Sequence, residues 1–267
     1  MSFESRLKSD GIVDTSKVTV EADYYGTGYV PRDFDKEPIG LNIPKFTGKV
    51  YDRAEWPELI KMHEKNKSRP LDWHLDGVKI KDQKNTNFCW AFGTVSGIET
   101  QYAKAGHNDL GLSPASTACL IHNFKNEGGW GTWACKGVND YGIATYDKWP
   151  NVSFDRTLPH RWDVKANMEQ HDLHDFEDLG RENLDAVVSV LLDEHNPAPV
   201  TGGFMWWGHL VLLLGVVEVG DGEYGIVFAN SWGADWGDSD GYGVLTGSKM
   251  IPYEAVRVGA VKPRSLN

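Results

Sequence analysis

Cys89 stands in Gln83-Lys84-Asn85-Thr86-Asn87-Phe88-Cys89-Trp90-Ala91-Phe92, where a turn-rich loop gives way to a helical pattern. A thiol at a helix start faces unpaired backbone N–H groups and the positive end of the dipole, and both favour the nucleophilic thiolate. Two complementary residue types follow in chain order. His209, in Trp207-Gly208-His209, opens an apolar run from Leu210 to Val219, and Asn230 opens Asn230-Ser231-Trp232-Gly233 after a second run ending at Ala229. An imidazole beside a thiol takes its proton and later returns it to a leaving group, while an amide oxygen fixes the imidazole's tautomer. Trp232 would shield that bond from water. Gln83 can aim a side-chain N–H, beside the backbone N–H of Cys89, at an oxygen that becomes negative during attack. This is the chemistry of acyl transfer: attack on a carbonyl, an acyl-enzyme, and its hydrolysis. Each residue also has a plain alternative as a core cysteine, a satisfied strand-end histidine, a solvated glutamine or a core tryptophan.

The elements that must position these groups are readable from periodicity. Ala91, Val95, Ile98 and Tyr102 fall on one helical face, with Gly106 past the end as a stop, so a helix should begin at Cys89. Leu210 to Val219 and Tyr224 to Ala229 read as two strands joined at Gly220-Asp221-Gly222, which presents His209 at a strand start and Asn230 just beyond a strand end. A helix from Leu184 to Leu192 should bury Leu184, Val187, Val188 and Leu191 and bridge the two halves of the fold. Glu55 to Lys65 reads as a further helix, with Trp56, Leu59, Ile60 and His63 on one face.

Several separated blocks resemble the papain family of cysteine peptidases, over roughly Leu71 to Pro263. Asp72-Trp73 is similar to the start of the mature enzyme. Gln83 stands as far before Cys89 as the family's oxyanion-hole glutamine. Leu112-Ser113, Asn126-Glu127-Gly128-Gly129-Trp130 and Tyr141-Gly142-Ile143 resemble three further family motifs, and Asn230-Ser231-Trp232-Gly233, Trp236-Gly237 and Gly241-Tyr242-Gly243 resemble its final hairpin. His209 and Asn230 lie 120 and 141 residues after Cys89, where about 130–150 is usual for such enzymes; a shortened loop before the histidine would explain the difference. The resemblance implies a two-lobed α+β fold, a helical lobe against an antiparallel β lobe with the cleft between them. It implies a catalytic set of Cys89, His209, Asn230 and Gln83, and a substrate-binding set of Gly128, Gly129, Trp130, Gly208 and Trp232. The bare backbone of the glycine pair would then bind an extended peptide.

Some positions depart from the family pattern. Asn87 and Phe88 are larger than the residues the family places before the nucleophile, which would narrow the site. Gly208 replaces an acidic or polar residue, and Trp206 and Trp207 make either an aromatic cleft rim or core. Thr86 and Asn126 occupy the positions of a family disulfide, so both halves of it are missing, as suits a reducing compartment. Cys119 and Cys135 are read as buried free thiols, with a bridge between them as the alternative.

Composition agrees with a soluble catalytic domain plus an extension. The chain has 267 residues and a formal net charge of −11, which argues against nucleic-acid binding as a main task. No apolar run is long enough to span a membrane, and Met1-Ser2-Phe3-Glu4-Ser5-Arg6 lacks a signal peptide's apolar core. A cytoplasmic location, or incorporation in a virus particle, is expected. No cofactor is called for. His171-Asp172-Leu173-His174-Asp175 and the Asp235, Asp238, Asp240 series invite metal readings, but they lack a full ligand set and read better as a solvated helix start and as turn residues; no metal is expected.

Residues 1–70 fall outside the resemblance and residues 71–267 form the peptidase-like domain. The first segment passes through Tyr24-Tyr25-Gly26-Thr27-Gly28-Tyr29 and carries Pro31, Pro38 and Pro44, an extended arm with turns. Asn66-Lys67-Ser68-Arg69-Pro70 reads as a linker, with Lys67 and Arg69 as a candidate processing point. The arm either covers the cleft, as the family's pro-segments do, or packs on the body or docks to a neighbouring subunit; the family's helical pro-segment pattern is absent. Two functions follow. The first is hydrolysis of peptide bonds in a peptide or protein substrate. The second is a structural or assembly subunit, for example of a virus particle, whose arm binds neighbours with or without residual peptidase or wall-amidase activity.

Overall fold

The β-branched and leucine-rich runs of the second half form one antiparallel sheet. In the structure, a computed structural model that describes residues 11–13, 25–36, 43–171, 175–259 and 261, the strands are β1 (Phe176–Arg181), β2 (Val200–Phe204), β3 (His209–Gly220), β4 (Glu223–Ala229), β5 (Tyr242–Thr246) and β6 (Glu254–Val258). Their order across the sheet is β1-β6-β2-β3-β4-β5. The helices are α1 (Trp56–Asn66), α2 (Pro70–Gly77), α3 (Cys89–Lys104), α4 (Pro114–Ile121), α5 (Gly131–Tyr141), α6 (Trp162–Met168) and α7 (Leu184–Leu191).

The β3 sequence is apolar without alternation because both faces of the sheet are covered. Leu210 packs in the cluster that contains Cys89, Trp90 and Phe92, and Leu212 and Leu214 pack with Leu71. Val211 and Leu213 point the other way, into a cluster with Trp56 and Ile60 of α1 and Val187, Val188 and Leu191 of α7. The register with β4 shifts between Leu213 and Gly215, as at a bulge, and Val216 and Val217 then continue into opposite clusters.

Helix α3 lies close against this sheet. A methyl added at Gly93 would come within 2.6 Å of Leu210, and one at Gly97 within 3.0 Å of Val258, so small residues there let the helix approach the strands. With α4 and α5 it forms the helical side of the expected α+β architecture. The expected one-sided face is too narrow, however. Every residue from Cys89 to Tyr102 is buried, because the sheet, α2, α4 and α5 together surround the helix.

Two other expectations change. Helix α7 packs on the sheet face opposite α3, beside α1, instead of bridging two halves, and Leu184 is only partly buried. Helix α1 is not set apart from the body by a linker. Trp56 and Ile60 belong to the largest apolar cluster, and Arg69 is buried and paired to both carboxylate oxygens of Asp72, at 2.7 and 2.9 Å. A processing enzyme could not reach that arginine without undoing the pair. Cys119 and Cys135 are buried free thiols, as expected. Among the described residues no helix is long and apolar enough to cross a membrane, and no group of three or more His, Cys, Asp and Glu side chains could hold a metal. Asp172, Leu173 and His174 lie outside the described residues, as do Tyr24 and Pro38.

Candidate active site

Cys89 is the first residue of α3, and no side chain caps that helix end. The Ala91 N–H donates to Phe88 O at 2.9 Å, which leaves the N–H groups of Cys89 and Trp90 without a backbone acceptor at the helix end. Its sulfur is fully buried and meets the backbone N–H groups of Trp90 and, from across the cleft, Leu210 at the start of β3. The residue before Leu210 is His209, also fully buried. His209 Nε2 lies 2.8 Å from Asn230 Oδ1, which fixes it as the donor in that bond and leaves Nδ1 with no hydrogen-bond partner. Trp232 stacks on the imidazole at 4.5 Å between ring centroids and 29° between planes. Asn230 Oδ1 also accepts from the Ser231 N–H at 2.8 Å, so the amide orientation is fixed by its neighbour's backbone.

Gln83 is fully buried beside this group. Its Oε1 accepts from Ser231 Oγ at 2.5 Å and its backbone N–H donates to Ser231 O at 2.8 Å. Both bonds tie the loop before α3 to the turn after β4, so Cys89, Gln83, His209 and Asn230 converge although they come from distant parts of the chain. The charges do not follow the sequence expectation. Burial raises the Cys89 thiol to about 12 and lowers His209 to about 4. Taking either group out of water penalises its charged form. Burial thus works against the thiolate that the helix start favours.

The segment from Tyr25 to Val30 lies over the residues that flank Cys89 and His209. The Gly28 carbonyl accepts from the Gly129 N–H and the Val30 N–H donates to Gly129 O, both at 2.9 Å, which makes Tyr29 run parallel to Gly129. The N–H groups of Gly28 and Tyr29 donate to Gly208 O at 3.2 and 2.9 Å. Gln83 Nε2 donates to Gly26 O at 2.8 Å, and Trp232 Nε1 donates to the same oxygen at 2.9 Å. Tyr25 stacks on Trp232 at 5.0 Å. The arm glycines are required by proximity. A methyl at Gly26 would sit 2.0 Å from Thr86 O, and one at Gly28 2.3 Å from Asn87 O, in a backbone with φ of +117° that also disfavours a side chain.

The expected substrate wall is thus engaged by the chain's own arm at Gly129, Gly208 and Trp232. Gly128 lies under the arm as well, since a methyl there would meet Gly28 O at 2.4 Å. Trp130 stands beside Trp133, ring centroids 4.4 Å apart. Asn87 and Phe88 do not narrow the cleft with their side chains. Phe88 is fully buried against Phe154, and Asn87 turns to Asn126, whose Oδ1 accepts from Asn87 N–H at 2.7 Å while the Asn87 amide donates to Asn126 O at 3.1 Å. That pair joins the nucleophile loop to the glycine wall, beside the positions of the missing disulfide. Trp207 is core, packed on His209 and Phe228, and Trp206 stacks on it.

Sequence reasoning missed Tyr29 and Arg32. Tyr29 is buried with its ring where a methyl on Gly203 would come within 2.2 Å. Arg32 is buried with its guanidinium 2.9 Å from Asp178 and 3.8 Å from Glu254. An aromatic and a cation within a Gly- and Pro-containing arm were a visible signal, but nothing in sequence says where an arm docks.

The geometry defines a thiol site in a cleft between helices and an antiparallel sheet, the architecture of a class of cysteine proteases. Among solved structures, xylellain, a cysteine protease from Xylella fastidiosa, aligns with a TM-score of 0.61 over 90% of this chain and 97% of its own, at 13% identity. The recombinant stem bromelain precursor aligns with a TM-score of 0.59 over 97% of this chain and 90% of its own, at 15% identity. These likenesses establish the fold. The profile described as papain family cysteine protease matches residues 68–255, and this chain belongs to that family. Falcipain-2a of Plasmodium falciparum (isolate 3D7) is 26% identical over 218 residues, covering 71% of this chain and 44% of the relative. The chain spans about half the length of the curated relatives it matches.

Proposed function

We propose that this chain is a latent cysteine peptidase in which Cys89 attacks a peptide carbonyl, His209 exchanges the proton, and Asn230 orients His209. The observation that carries this reading is the His209 Nε2 to Asn230 Oδ1 bond of 2.8 Å. It leaves Nδ1 unspent at the strand end whose next N–H faces the Cys89 sulfur. In the attack, the Cys89 proton passes to Nδ1 and the sulfur bonds to the carbonyl carbon. Gln83 Nε2 and the Cys89 N–H stabilise the oxyanion. His209 then protonates the leaving amine, and water, deprotonated by the same imidazole, hydrolyses the acyl-enzyme.

Latency follows from the arm. Gly26 O holds the Gln83 donor, and Gly28 to Val30 hold the backbone groups of Gly129 and Gly208. A substrate reaches the thiol only when residues 25–32 leave. The likeness to a precursor that covers nearly the whole chain supports this reading. The assembly-subunit alternative gains no support from the comparisons, which are with proteases.

The test is Cys89→Ala in the full chain, measured by peptide hydrolysis and thermal melting. Alanine is the best helix former and fits a buried helix start, so the fold should persist while hydrolysis, however low in the latent protein, disappears. Turnover retained by that variant defeats the proposal.

A further inference from the structure

The arm carries a buried cation onto the sheet, against β1 and β6. Arg32 is 3% exposed, with Asp178 at 7% and Glu254 at 1%. Glu254 is already bonded by the N–H groups of Gly131 and Thr132, at 3.1 Å each, and by Thr132 Oγ1 at 2.9 Å. Asp178 Oδ1 accepts from the Gly180 N–H at 2.9 Å, which leaves Oδ2 for Arg32. Both carboxylates belong to the sheet, on β1 and β6; the cation belongs to the arm. When residues 25–32 leave, the guanidinium goes with them, and the two carboxylates stay on the sheet without the cation placed against them.

A second feature of the same pocket is unsatisfied even with the arm in place. Thr201 Oγ1 is buried and has no partner. Thr201 lies on β2 on the same side as Gly203, two residues on, which faces the Tyr29 ring; Gly203 is in register with Glu254. A methyl added to Gly131, whose N–H binds Glu254, would lie 2.8 Å from that hydroxyl. The Tyr29 hydroxyl, buried in the same region, likewise has no partner. The pocket therefore offers an acceptor-rich floor that the tyrosine fills by shape without satisfying. Arg32 and Asp178 also line a cavity of about 310 Å³, with Phe34, Lys45 and Asn183.

We infer that the opened cleft selects peptide substrates with a basic side chain on the side of the Gly128–Gly129 wall, its cation replacing Arg32 between Asp178 and Glu254. This rests on the peptidase reading above. Lysine or arginine supplies the donors that the carboxylates and the Thr201 hydroxyl accept; glutamine supplies fewer and no charge, and glutamate is repelled.

The test uses the full chain carrying Gly28→Ala and Arg32→Ala, which unseats the arm without changing the wall or the carboxylates. Internally quenched peptides that differ only in having Arg, Lys, Gln or Glu at successive positions are compared by kcat/KM. The expected result is at least a tenfold preference for Arg or Lys over Gln at one wall-side position, with Glu slowest. Adding Asp178→Asn, which removes the nearer of the two carboxylates, should lower the Arg to Gln ratio severalfold, and a thermal melt shows that this variant is folded. Hydrolysis with no position favouring a basic residue overturns the inference and leaves the peptidase reading standing. If no peptide is cleaved although iodoacetamide labels Cys89 rapidly, the thiol is open and inactive, the peptidase reading fails and the inference falls with it.

Discussion

Cys89 and His209 are displaced in opposite directions from the charge states that hydrolysis uses, and the cause is the same for both. Burial raises the thiol to about 12 and lowers the imidazole to about 4, so the covered site disfavours the charged form of both. Alkylation requires the thiolate. The rate of Cys89 modification in the full chain should therefore be slow at pH 7 and still climbing, about tenfold for each step of one in pH, at pH 9. In Gly28→Ala the solvated pair should flatten that profile towards acid, as mass spectrometry resolving Cys89 from Cys119 and Cys135 would show. An unchanged profile would mean that the arm is not what sets the charge state. Asn230→Ala should lower kcat of the opened enzyme by about 10²- to 10⁴-fold, the range for proton-transfer catalysis, with little change in KM, because it removes the acceptor of His209 Nε2 and touches no part of the wall.

At the scale of elements, the arm is held by fit. Gly26 and Gly28 allow backbone to lie on backbone, and Gly203 makes room for Tyr29. Gly28→Ala should thus raise basal hydrolysis, since the added methyl meets Asn87 O and the φ of +117° disfavours alanine; a lower basal rate than wild type would contradict the covering role. The elements that carry the candidate site were legible because local sequence constrains them. The helix start at Cys89, the strand start at His209 and the turn at Asn230 each carry a period or a breaker. The arm's docking was not legible, because its contacts are backbone bonds to Gly129 and Gly208, and any sequence supplies those groups. For the same reason the sizes of Asn87 and Phe88 misled. Whether a side chain points into a cleft or a core depends on the loop's path, here set by the bonds from Asn87 to Asn126.

For the molecule as a whole, the sequence boundary at residue 70 does not separate two bodies. Trp56 and Ile60, upstream of it, are buried in the main core, and each such side chain contributes about 1.5–3 kcal/mol out of a usual total of about 5–15 kcal/mol. A chain starting at Leu71 should melt at least 10 °C lower or fail to fold, as circular dichroism would report; a melt equal to the full chain would show α1 to be dispensable. Acid should also weaken the folded state. His209 and His74 are held neutral by burial, near 4 and 3 against an ordinary 6.5, so below pH 6.5 the unfolded chain binds more protons and stability falls with pH. The melting temperature should drop between pH 6.5 and about 4, reflecting a loss of a few kcal/mol, since each tenfold difference in proton affinity between the folded and unfolded chain is worth about 1.4 kcal/mol. A melting temperature that stays level across that range would show that the two imidazoles take up protons without opening the fold.

The arm also does something at its two ends. Residues 11–13 pair with Val244 on β5, and Pro44 to Phe46 pair with Asp178 on β1, and β5 and β1 are the two outer strands of the sheet. Outer strands left bare are templates on which other chains add and aggregate. Complete loss of the arm would expose both at once, so an enzyme activated by full removal would be prone to self-association. Lifting only residues 25–32 while both ends stay tied opens the thiol to substrate and keeps the sheet closed to its neighbours.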